Sequence, residues 1–170
     1  MLQLELKEPY VDELKDIYSA ETQLVKALPK MAKAAVSAEL RNGFQEHLTQ
    51  TEGQVARLEQ IFDRLGEKPA GKKCEGMAGL IKEGGEAAEE DYEGEVKDSA
   101  LIGAAQRVEH YEIAAYGTVR AMAEKLGDEK AVQLLTQSLQ EEKDTDLKLS
   151  KLSDKMKVEA GQVKAFAAKR

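Results

Sequence analysis

At 170 residues the chain is long enough for one domain with a sizeable core. Its net charge is −7, with acids and bases mixed along the length, which excludes a dedicated nucleic-acid surface and a polybasic membrane patch. Tryptophan is absent, the helix formers Ala, Leu, Glu, Lys and Gln are abundant, and a lone cysteine, Cys74, excludes an internal disulfide.

The first helix is expected from near Pro9 to about Val36, with Pro29 inside it as a kink or a lost backbone bond. Alternating steps of three and four residues trace a seam through Leu14, Ile17, Glu21, Leu24, Leu28, Met31 and Ala35. Ser37 is a suitable N-cap for a second helix, which runs to about Leu65 and stops at Gly66. Its seam is Phe44, Leu48, Thr51, Val55, Leu58, Phe62 and Leu65. Residues 66–73 read as a loop, and residues 74–97 as a glycine-broken crossover. Within the crossover, Met77, Leu80 and Ile81 form one apolar turn of a short helix before Gly84 and Gly85. Asp98 caps a third helix that ends before Gly127, with the seam Leu101, Ala105, Val108, Glu112, Ala115, Val119, Met122 and Leu126. Asp128 caps a fourth, to about Ser153, with the seam Val132, Leu135, Leu139, Glu142, Asp146 and Leu149. A short tail helix is expected from about Val158 to Ala168.

These elements predict an all-α protein, a single domain over residues 1–170. Short links make helices one and two, and three and four, antiparallel neighbours. The one long connection, about residues 66–97, can run the length of the bundle, which is the connectivity of ferritin-like folds. A cytokine-type bundle would need two such connections.

Three of the four seams carry an acid near the middle: Glu21, Glu112 and Glu142. An isolated buried carboxylate costs several kcal/mol or is forced to neutralise. Acids converging from separate helices call instead for a shared cation. Glu109 lies one turn before Glu112, Asp146 one turn after Glu142, and the second helix offers His47 and Glu52 near Thr51. These seven residues are the candidate metal ligands. An oxygen-rich set suits iron or manganese and admits magnesium or calcium. The competing reading of any one acid is a snorkelling side chain or an ion pair with Arg107, Arg120 or Lys143. His110, two residues and about 200° from Glu112, is expected outside the site. Nothing in the chain resembles a nucleophilic triad, a phosphate loop or a zinc-type cysteine cluster, and no catalytic residue is assigned.

The runs DIYSAETQLVKALPKMAKAA, KKCEGMAGLIKEG, QRVEHYEIAAYGTVRAMAEKLG and LLTQSLQEEKDTDLKL resemble the YciE/YciF-like bacterial stress proteins, over roughly residues 8–155. The resemblance implies a rubrerythrin-like, ferritin-like four-helix bundle, a homodimer, and a dinuclear iron or manganese site with Glu21, Glu112 and Glu142 as its carboxylates. It also implies an expectation of ferroxidase- or peroxidase-type chemistry under stress. Two departures matter. Gln54 stands where the second-helix motif of such bundles places histidine, and the rubredoxin-like cysteine module that donates electrons in rubrerythrins is missing. The alternative is a non-catalytic dimeric interaction module with an empty or structural-cation site. The N-terminus, MLQLELKEPY, has no signal-peptide pattern, so a cytoplasmic location is expected, without membrane or nucleic-acid partners.

Overall fold

A computed structural model describes residues 2–156; the tail helix expected at 158–168 lies outside them. The described residues form α1 (Leu2–Ala34), α2 (Ala38–Leu65), α3 (Glu75–Glu89), α4 (Gly94–Leu126) and α5 (Glu129–Lys155), and no strand. No described helix is long and apolar enough to cross a membrane.

Chemistry at the helix ends decides most boundaries. The Ser37 hydroxyl accepts from the Leu40 amide at 3.3 Å, and Gly66 takes a left-handed φ of 67° after Leu65. Asp128 accepts from the Ala131 amide at 3.0 Å, and Gly127 closes α4 with a φ of 75°. Three expectations change. Helix α1 starts before Pro9 and continues through it, because one lost backbone bond is offset by burial of Tyr10, Val11 and Leu14. Helix α3 continues through Gly84 and Gly85, because its packing on α1 and α4, with Gly84 buried beside Met31 and Ala104 and Met77 buried a turn or two before, offsets the helix cost of two glycines.

Asp98 does not cap its own helix, which begins a turn earlier at Gly94. Only 2% exposed, it reaches across the bundle and accepts from the Val36 and Ser37 amides at 2.7 and 2.8 Å. An anionic acceptor at the start of α2 satisfies donors that have no helical partner and complements the helix dipole. Replacing it strands two amides. Asp98→Ala should therefore cost about 2–3 kcal/mol in urea unfolding; a loss under about 0.5 kcal/mol would contradict this capping role.

Contacts pair α1 with α2 and α4, and α5 with α2 and α4, closing a four-membered ring; α3 lies against α1 and α4. Two apolar clusters fill opposite ends of this bundle. One holds Leu24, Leu28, Phe44, Leu101, Ile102 and Leu149, and is covered by Met77 of α3. The other holds Leu14, Ile17, Leu58, Phe62, Val119 and Leu135. The chain meets the second cluster before the first on α1 and α5, and after it on α2 and α4. Neighbours in the ring are thus antiparallel, and the crossover must travel from one end to the other. Its α3 does so, docked by Met77 at 0% exposure and closed at its C-terminus by Lys97, which donates to the Ala88 and Glu90 carbonyls.

Candidate metal centre

Between the two apolar clusters every bundle helix interrupts its buried stripe at the same level. Helix α1 presents Glu21; α2 presents His47, Thr51 and Gln54; α4 presents Glu109 and Glu112; α5 presents Ser138 and Glu142. All eight are at most 3% exposed. The layer is polar because four stripes change character together.

His47, Glu109, Glu112 and Glu142 each offer one ligand atom, and these atoms all lie within 4.8 Å of one another. His47 Nε2 is 3.3 Å from Glu109 Oε1 and 3.9 Å from Glu142 Oε2. Glu21 lies beside Glu112, and its Oε1 accepts from the Tyr116 hydroxyl at 2.5 Å. Glu109 lies beside Glu142 in the same group. The acids thus share one buried volume.

The electrostatics follow from that crowding. Burial, then the charge of Glu142, pushes the Glu21 carboxyl up to about 8, against the pull of Tyr116, Glu112 and Arg57. Burial also holds Glu109 and Glu112 well above the usual carboxylate range, with neighbouring carboxylates adding to it. The Tyr116 hydroxyl is driven up by burial and by Glu21, and remains a donor. Among the described residues no lysine or arginine forms an ion pair with these acids. Arg57 is committed to the Ser138 hydroxyl at 3.0 Å and to Glu141.

Satisfaction of polar atoms tests whether a metal fits. Glu21 Oε2, Glu109 Oε2, both oxygens of Glu112, Glu142 Oε2 and both His47 nitrogens are buried without a hydrogen-bond partner. Orphaned buried acceptors are rare, and each costs about 1–3 kcal/mol. Here the carboxylate oxygens cluster, and one imidazole nitrogen, His47 Nε2, faces them. Five carboxylate oxygens with an imidazole nitrogen form a donor set for iron or manganese. The residues fit the group.

The expected ligands divide accordingly. Glu21, Glu112, Glu142, Glu109 and His47 lie together in the layer. Glu52 does not; it is exposed, about 100° around α2 from buried Thr51. Asp146 does not either. The buried stripe of α5 steps from Glu142 by three to Thr145, so Asp146 turns outward, 23% exposed. There it accepts from Gln106 at 3.0 Å and faces His110 at 3.4 Å. His110 is 70% exposed, outside the layer as anticipated. Sequence reasoning missed the contacts made by Tyr116 and Gln54. Tyr116 lies one turn after Glu112 and Gln54 two turns after His47, so helical spacing alone could have placed both on the inner face. Gln54 donates to Glu142 Oε1 and, at 3.3 Å, to Glu141.

Comparison with known proteins adds the following. The family described as Domain of unknown function (DUF892) matches residues 5–162. Protein YciF of Escherichia coli is 46% identical over 149 residues, covering 87% of this chain and 90% of that protein. The crystal structure of the E. coli stress protein YciF superposes with a TM-score of 0.85, over 87% of this chain and 94% of that one. YcfI of Rhodopseudomonas palustris, described as a structural protein, gives a TM-score of 0.83 at 44% identity, over 90% and 95% of the two chains. A Xanthomonas campestris protein at 20% identity shares the fold, with a TM-score of 0.71 over 96% and 97% of the chains.

Proposed function

We propose, for a chain that belongs to the DUF892 family, that the polar layer is a carboxylate-bridged dinuclear site for iron or manganese. One observation carries this reading: the orphaned oxygens of four glutamates lie with one histidine nitrogen, His47 Nε2, in an otherwise apolar interior. A divalent cation would supply the missing partner for these acceptors. Glu21, Glu112, Glu109 and Glu142 are the carboxylates that would hold the ions, and His47 the single imidazole. Bound iron would supply redox chemistry toward oxygen or peroxide. The chain's own residues orient and enclose. Tyr116 holds Glu21, Gln54 holds Glu142, and the two apolar clusters exclude bulk water from the layer. With a single cysteine the 170 residues hold no rubredoxin-like module, so catalytic turnover would draw electrons from outside them. The expected assembly is a homodimer.

A second reading, a structural module holding a structural cation, is favoured by Gln54. It donates an amide proton to Glu142 where a second imidazole would ligate, which suits a held ion better than one that changes oxidation state.

Metal content tests the first claim. Protein purified from iron- and manganese-supplemented cells should carry close to two ions per chain by elemental analysis. Absence of metal, with melting unchanged by added iron or manganese, would sink it. Oxygen consumption by ferrous-loaded protein then separates the two readings: the structural module consumes none beyond free iron.

A further inference from the structure

A cavity of about 470 Å³ opens between α1, α3 and α4. Its walls are aliphatic and aromatic, among them Leu24, Leu28, Phe44 and Val108. Its volume comes from small residues on all three helices: Ala27 of α1, Gly84 and Gly85 of α3, Ala104 and Ala105 of α4. At its inner end is Glu109, 1% exposed, with Oε2 unpartnered. Exposed charges of both signs stand at its mouth: Lys26, Lys30 and Lys82 with Glu86 and Glu89. Lys30 is paired with Glu89 at 2.7 Å and Lys82 lies 3.8 Å from Glu86. Lys26 has no carboxylate within 4.0 Å among the described residues.

The size falls inside the roughly 300–1,000 Å³ range of small-molecule sites, and so does the make-up, an apolar lining with few polar groups. Interiors are normally close-packed, so three helices contributing small residues at one place is a built feature rather than loose packing. A hydrated metal ion is a poor occupant, because apolar walls cannot replace its water. A separate slot of about 30 Å³ on the other face of the bundle reaches His47 and Glu109 between Glu46, Gln50, Thr145 and Lys148 and the apolar Phe44, Leu149 and Leu152, with room for about one water.

We propose that the cavity binds a single-chain anionic amphiphile, its alkyl body buried between α1, α3 and α4 and its head group at Lys26. The assignment rests on apolar lining, volume and Lys26, the rim lysine left over once Lys30 and Lys82 are paired with Glu89 and Glu86, and holds whether or not the acid layer binds metal. The inner end of the alkyl body would lie against Glu109, beside the candidate centre.

The test is calorimetric titration of the metal-free full chain with dodecanoate, and with dodecyltrimethylammonium as a cation of equal chain length. Dodecanoate should bind one per chain, and the cation at least tenfold more weakly. Gly84→Leu should weaken dodecanoate at least tenfold. A Cβ at Gly84 meets Met31 and Ala104 at 3.7–3.8 Å, ordinary contact, so only the longer branches enter the cavity. The change also favours the helix by roughly 1 kcal/mol, so folding is retained. Lys26→Glu, on the surface, should weaken dodecanoate several-fold without moving the melting temperature. The proposal fails if dodecanoate does not bind, binds Gly84→Leu equally, or binds no better than the cation. It also fails if Gly84→Leu turns a sedimenting dimer into monomer while dodecanoate leaves the wild type unbound, since a second copy would then cover this face. Dodecanoate binding by a chain that takes up no metal would sink only the metal reading.

Discussion

Metal-free protein should lose stability steadily between pH 4.5 and about 8, and loading with manganese should remove most of that loss. The Glu21 carboxyl, ionising near 4.5 when exposed, is held at about 8 in the fold, first by burial and then by Glu142. Glu109 and Glu112 are raised as well, for the same first reason. A native state with raised carboxyl pKa values keeps protons that the unfolded chain has already shed. Its stabilisation is fully present below the unfolded value and is lost as pH climbs through the folded one. For Glu21 the window therefore opens near 4.5 and closes just above 8. Each tenfold gain in proton affinity on folding is worth about 1.4 kcal/mol, so the effect is on the order of several kcal/mol, a large share of the ~5–15 kcal/mol that holds a typical domain together. A divalent ion replaces the protons. At roughly a thousandfold over its dissociation constant it contributes about 4 kcal/mol. Urea unfolding of chelator-treated protein at pH 5, 6.5 and 8, with and without manganese, reads both effects. Glu21→Gln should flatten the metal-free slope; a wild-type slope already as flat as the variant's would refute the buried-acid layer.

Glu112→Ala should reduce metal affinity by at least about 100-fold, more than the roughly 10–100-fold that loss of an outer supporting partner costs. Glu52→Ala and Asp146→Ala should leave it unchanged. The contrast is steep because the three acids are equally anionic but differently placed. Both Glu112 oxygens are buried and unpartnered, Glu52 is exposed, and Asp146 is engaged by Gln106 and His110 on the outside of α4 and α5. Competition against a chromophoric chelator gives the three dissociation constants directly. Equal losses in all three variants would mean that the metal is held by general surface charge. A drop confined to Asp146→Ala would move the site to the His110–Asp146 edge.

Much of this was legible locally. Gly66, Gly127, Ser37 and Asp128 announce helix ends because their conformations or side chains satisfy backbone groups within a few residues. The single long connection leaves few bundle topologies open. Glu21, Glu112 and Glu142 stand out because each breaks an apolar stripe, and a carboxylate there has no cheap local solution.

What local pattern could not resolve was angle and partner. A step of three and a step of four from Glu142 differ by about 100° around the helix, and only the packed neighbours select Thr145 over Asp146 for the interior. The same holds on α2, where the inward line passes through His47, Thr51 and Gln54 while Val55 stays partly exposed. Asp98 gave no sign of its target, since its amide partners lie about 60 residues away in sequence. The cavity above Glu109 was invisible for a like reason: small residues on α1, α3 and α4 enclose a volume only once those helices are docked. Sequence by itself settled the four long helices, the stops at Gly66 and Gly127, the caps Ser37 and Asp128, and the three acids Glu21, Glu112 and Glu142 that break apolar stripes, because those depend on bonds and burial within one helix. Tertiary structure decided which side chains share a space, because that depends on contacts between helices whose spacing along the chain carries no periodic signal.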